Sequence, residues 1–189
     1  AELEEYEEAV ECYDEAIRLD PELDDTWHKK GMALYSLSQF KEAITCYNEA
    51  IRLNPQVYDA WFFKGNALYV QEKYRESIAC FNEAIRINPE FTIALNNKGM
   101  ALWYLKQFEE AVPYFDEALK INPEFALVWH NRGITFAELE EYEEAGISPE
   151  FMFGDEGGGA AAAEEEEDDS PEYQVFQLSK TLTNLPAIY

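Results

Sequence analysis

Residues 61–89 read WFFKGNALYVQEKYRESIACFNEAIRINP, with large and small residues set at Trp61, Gly65, Leu68, Tyr74, Ser77, Phe81, Ala84 and Pro89. The pattern stands 34 residues earlier at Trp27, Gly31, Leu34, Phe40, Ala43, Tyr47, Ala50 and Pro55. It stands 34 later at Leu95, Gly99, Leu102, Phe108, Ala111, Phe115, Ala118 and Pro123. Trp61, Gly65 and Leu68 lie three or four apart and share one helical stripe, which predicts a first helix from about Asp59 to Gln71. A second helix follows and stops at Asn88-Pro89, as its counterparts stop at Asn54-Pro55 and Asn122-Pro123. Gly inside a helix costs ~1 kcal/mol relative to Ala. Its recurrence at 31, 65, 99 and 133 therefore requires a close approach of helices.

A 34-residue helix–turn–helix period with these residues resembles the tetratricopeptide repeat (TPR), and the resemblance covers residues 1–145. It divides the array into a half repeat (1–23), full repeats 24–57, 58–91 and 92–125, and a truncated repeat 126–145. The fold it implies is all-α, a right-handed α-solenoid of antiparallel helix pairs. Two positions depart from the family pattern. A basic residue precedes each repeat glycine (Lys30, Lys64, Lys98, Arg132), and its charge is expected in water above a stem lying on the helix. Pro113 sits inside a second helix and predicts a local kink.

Composition narrows the function classes. The net charge of −25 argues against a nucleic-acid partner, because phosphates would be repelled. No apolar run reaches the ~20 residues of a membrane span, and the amino-terminal residues lack a signal peptide's pattern, so a cytoplasmic location is expected. Cys12, Cys46 and Cys80 share one repeat position and read as small buried hydrophobes rather than a disulfide or metal set. Glu7-Glu8, Glu109-Glu110 and Glu143-Glu144 are placed in the first turns of second helices, where the dipole favours anions. No cofactor is implied. His28 and His130 occupy equivalent slots three repeats apart, and no Cys–His pair or phosphate loop appears, so no enzyme is expected.

The resemblance implies that function lies on a concave face lined by the first helices. Mapped onto this sequence, that face carries His28, Lys29, Met32 and Tyr35, then Phe62, Asn66 and Tyr69, then Asn96, Asn97, Met100 and Trp103, and finally His130 and Asn131. Phe63 and Tyr104 fall on the same side, with interhelical packing as their alternative. Aromatic contact area beside amides suits a peptide or helical ligand. A family branch that grips chaperone carboxyl termini uses lysine where Ile93 stands and a second basic residue where Asn97 stands, so that ligand is not expected.

After Ala145 the repeat logic ends. Residues 146–151, GISPEF, resemble a linker or cloning scar, and Met152 then reads as the start of a second, fused segment. Residues 152–169 form a Gly/Ala/acidic tether, and 170–189 an amphipathic segment opened by Ser170-Pro171. Its Val175, Leu178, Leu182 and Leu185 make one stripe, flanked by Tyr173 and Phe176. It is expected to act as a tethered ligand, in cis or trans, or to fill the last-helix slot; alternatively the array is a rigid carrier in an engineered chimera. Residues 1–9 and 137–145 are the same nonapeptide, AELEEYEEA, which raises head-to-tail self-association as a further possibility.

Overall fold

The computed structural model describes residues 2–144, and the side chains of 3–140. These residues form α1 (Glu2–Leu19), α2 (Asp24–Ser36), α3 (Phe40–Leu53), α4 (Tyr58–Val70), α5 (Tyr74–Ile87), α6 (Thr92–Tyr104), α7 (Phe108–Ile121) and α8 (Ala126–Glu144). Each helix packs on the next, and the pairs α2/α3, α4/α5 and α6/α7 are the full repeats. The first helices also touch across repeats, α2 with α4, α4 with α6 and α6 with α8, and no comparable contact joins the second helices among the described residues. First helices therefore lie closer together and form the inner side of the solenoid. The tether and the amphipathic segment lie outside the described residues.

Glycine is required where each pair closes. A Cβ on Gly31, Gly65 or Gly99 would come 2.5–2.6 Å from the ring of Tyr47, Phe81 or Phe115 on the following second helix. Those three rings are fully buried, so each glycine is the floor on which a large knob rests. Each pair is linked by the same reversal. Ser38, Glu72 and Lys106 take φ of 58°, 61° and 59°, the left-handed position that ends a helix. Their N–H groups donate to Tyr35, Tyr69 and Trp103, and the next N–H reaches back to Leu34, Leu68 and Leu102, all at 2.8–3.0 Å. Between repeats, the indole Nε1 of Trp27, Trp61 and Trp129 donates to the carbonyl of Pro21, Pro55 and Pro123 at 2.9–3.2 Å.

Several sequence expectations change. The basic residue before each glycine does not simply hold its charge in water. Lys30 pairs with Asp14 and its side chain is 17% exposed, and Arg132 donates to Asp116 at 2.7 Å. At the two inner junctions asparagine (Asn48, Asn82) stands where those aspartates do. There Lys64 lies 5.3 Å from the Trp61 ring and Lys98 3.7 Å from the Tyr114 ring, a cation over a π face. Cys46 and Cys80 are buried and free, whereas Cys12 is exposed because α1 packs on one neighbour only among the described helices. The thiols of Cys46 and Cys80 are pushed up to about 11 by burial. Pro113 lies within α7, so the kink expected there leaves Phe108–Ile121 one helix.

The truncated repeat differs most. The position equivalent to Ser38, Glu72 and Lys106 is Glu140, where the pattern calls for a reversal, yet α8 continues as one helix to Glu144. Glu143-Glu144 therefore lie at the end of a first helix, not at the start of a second. Likewise α1 begins at Glu2, which puts Glu7-Glu8 in its second turn. A left-handed residue costs ~1–2 kcal/mol, repaid inside the array by the packing of the next helix. Without that packing among the described residues, the strong helix formers of 137–144 stay helical.

Candidate functional site

The inner side is built from four repeating slots on the first helices. In the slot of His28, Phe62, Asn96 and His130, the first two turn toward the second-helix layer. Phe62 is 7% exposed and rests on the Phe81 and Phe91 rings at 6.0 and 4.8 Å. It belongs to the core, which corrects its assignment to the binding face. His28 is half-buried between the rings of Tyr47 and Phe63 at 5.8 and 5.7 Å. Burial there holds its imidazole below the ordinary value, with Asp59 pulling the other way, and Nδ1 has no hydrogen-bond partner. His130, in the same slot on α8, is exposed.

The next slots bring asparagines together across three helices. Asn131 Nδ2 on α8 donates to Asn96 Oδ1 at 2.8 Å. Asn96 Nδ2 donates to Asn97 Oδ1 at 3.1 Å, and Asn97 Nδ2 to Asn66 Oδ1 on α4 at 2.9 Å. Asn96 and Asn131 are buried, and Asn97 and Asn66 are half-buried. A buried amide costs free energy unless paired, and each of these finds its partner in another amide. The chain of amides runs one way and ends on the Asn66 amide group, whose N–H donors are left over. Periodicity places these residues on one face; their bonding to one another is not written in the spacing, because Asn97 and Asn66 lie 31 residues apart.

Beside the amides runs an aromatic edge. Tyr69, Tyr74 and Tyr104 meet with ring centroids 4.8–5.6 Å apart, Tyr74 and Tyr104 stacked within 7°. Trp103 sits edge-on to Tyr104 at 5.2 Å and against Phe108 at 6.0 Å, and its buried Nε1 has no acceptor. Tyr35 makes the equivalent edge contact with Phe40 at 5.2 Å. Phe63 and Tyr104 thus take part in interhelical packing. Met32 is exposed, and Met100 is half-buried against the third repeat's core. Lys29 is exposed and held by Asp25 at 2.8 Å, which raises its pKa. Among the described residues no group of three or more His, Cys, Asp or Glu could hold a metal ion. No helix among them is long and apolar enough to cross a membrane.

Comparison with known proteins agrees with this geometry. Tetratricopeptide repeat models match residues 28–92, 92–125 and 114–146, and a TPR repeat model matches 1–38. No curated protein sequence matches the chain. Among solved structures, MamA (residues 41 to end) from Desulfovibrio magneticus RS-1 is similar at 20% identity and TM-score 0.69, with 75% of this chain and 80% of that one covered. YrrB, described as a TPR protein with an unusual peptide-binding site, is similar at 25% identity and TM-score 0.64, covering 80% and 82%. The first TPR of Spaghetti (RPAP3), bound to the HSP90 peptide SRMEEVD, is similar at 20% identity and TM-score 0.61, covering 62% and 93%. From the repeat pattern, the glycine-on-ring closure and the models matching residues 1–146, the chain belongs to the tetratricopeptide repeat family.

Proposed function

We propose that the protein is a non-enzymatic interaction module whose inner face takes a peptide or helical segment of a partner. The asparagine chain from Asn131 to Asn66 carries this reading. Asn131 and Asn96, both buried, hold the row in place from behind, and its half-buried end at Asn97 and Asn66 presents a fixed amide to a peptide main chain, which needs such partners when it leaves water. Trp103, Met32 and the Tyr69 edge supply apolar contact alongside. Ile93, 44% exposed, offers no cation for a terminal carboxylate, so the face suits an internal stretch of peptide. The structures of YrrB and RPAP3 concern peptide binding by relatives of the same fold.

Residues 170–189 are a candidate ligand for this face, in cis or in a second molecule, since their Val175, Leu178, Leu182 and Leu185 stripe requires an apolar partner. A tether raises the local concentration to around millimolar, enough to fill a weak site. The test is amide-exchange protection of residues 170–189 within the full chain and within its Asn66→Ala, Asn97→Ala and Trp103→Ala variants, protection reporting binding of the tail. Weakening by each variant, measured below the melting transition of that variant, supports the groove reading. Equal binding by all four proteins removes it and leaves the array as a rigid carrier.

A further inference from the structure

We infer that the open side of α8 is a docking surface for α1 of a second copy of this chain, joining molecules head to tail. Inside the array every first helix is closed by an aromatic of the second helix 16 residues on: Gly31 by Tyr47, Gly65 by Phe81, Gly99 by Phe115. On α8 the same floor is bare among the described residues, because a Cβ on Gly133 would meet none of their atoms within 4 Å. The residue one turn on tells the same story. Leu34, Leu68 and Leu102 are 4–5% exposed, while Phe136 in their slot is 39% exposed.

The complementary half is on α1. Tyr13 occupies the slot of the three buried rings, and Ala9 and Ala16 occupy those of Ala43/Ser77/Ala111 and Ala50/Ala84/Ala118. All the interior residues in these slots are fully buried; Tyr13, Ala9 and Ala16 are each only partly covered. One chain thus carries both halves of the interface it repeats three times internally, a heterologous contact that propagates rather than closes. Placed as α3 sits on α2, α1 of the second molecule would set Tyr13 on Gly133.

The helix ends fit the same arrangement. Interior first helices end at Ser36, Val70 and Tyr104, whose equivalent is residue 138, whereas α8 runs to Glu144. Interior second helices begin at Phe40, Tyr74 and Phe108, whose equivalent is Tyr6, whereas α1 begins at Glu2. Both overhangs fall at the end of the pair where a covalent turn would otherwise reverse the chain. Between two molecules no turn is needed, so residues 2–9 and 137–144 can remain helical side by side. Their glutamates oppose the contact, and screening them strengthens it.

Sedimentation velocity of the 189-residue chain tests this across concentration. Reversible growth beyond a dimer is expected, stronger as salt rises from ~0.01 M to ~1 M. Gly133→Leu, which fills the bare floor where a Cβ meets none of the described residues, should keep the melting transition and weaken association at least about tenfold. Tyr13→Ala should weaken it comparably from the other end. Mixing the two variants should restore a single one-to-one dimer that grows no further, since each retains one intact end. A chain that stays monomeric at high concentration and salt overturns the inference. So does association that Gly133→Leu leaves unchanged; if Asn97→Ala abolishes that association, it runs through the inner face instead.

Discussion

Gly65 and Gly133 occupy one repeat position and have nothing else in common. Gly65 is buried beneath Phe81, whose ring would lie 2.6 Å from an added Cβ; Gly133 is exposed, with none of the described residues within 4 Å of one. Around each, the chain follows its neighbours. At Glu72 the backbone pays for a left-handed turn and recovers the cost by laying α5 against α4. At Glu140 no following helix packs on α8 among the described residues, and α8 continues. In a repeat array stability is carried by contacts between adjacent units, so the same residues specify a turn or a helix according to what packs on them.

The largest expected contrast lies between the aromatic knobs. Phe81→Ala removes a fully buried ring and should cost ~3–5 kcal/mol in denaturant unfolding. Tyr13→Ala, at the same slot but half-exposed, should cost well under half of that in the monomer. An equal loss would mean that α1 is already closed on both sides.

The amide chain comes next. Asn96→Ala leaves the buried Asn131 amide without its acceptor and should cost ~1–3 kcal/mol. Its exposed counterpart His130→Ala should change the melting transition little. A smaller pair sharpens the turn argument. Glu72→Gly relieves a left-handed glutamate and should stabilise by ~1 kcal/mol, while Glu140→Gly places glycine inside a helix and should destabilise α8 by ~1 kcal/mol, read as lost helicity.

The smallest effect depends on pH. Burial lowers the His28 pKa from 6.5, against the pull of Asp59, Asp25 and Asp24 and together with Lys29. A lowered folded value means that the unfolded chain binds the proton more readily, so this contribution is present above pH 6.5 and lost as pH falls through the folded value. His28→Phe, which copies Phe62 of the next repeat, should flatten the melting temperature between about pH 7 and pH 5. The raised pKa of Asp59, caused by its own burial, acts in the carboxylate range, where its contribution is lost as pH rises.

The repeat frame was legible in the sequence because one residue type per slot reports its surroundings. Glycine under aromatic, Asn-Pro after the second helix and the Trp61 stripe each recur with the period, and helix α4 at Tyr58–Val70 matches the predicted 59–71 within a residue. The inner face was legible only as a side. Phe62 lay within it by spacing, but a residue at the boundary of two stripes turns toward whichever layer buries it, and Phe81 and Phe91 bury Phe62. The asparagine chain could not be read, since hydrogen bonds among amides depend on distances across helices. The run of α8 through Glu140 escaped for the opposite reason: periodicity assumes a neighbour at every position.

Paired thermal unfolding of Gly65→Ala and Gly133→Ala tests the central claim, that each slot is governed by what packs on it. Gly65→Ala drives a Cβ into Phe81 and should destabilise by ~1–3 kcal/mol. Gly133→Ala meets none of the described residues within 4 Å and should stabilise by up to ~1 kcal/mol through helix propensity. Opposite signs are the predicted result; two losses of similar size would contradict it, because the floor at Gly133 would then already be occupied.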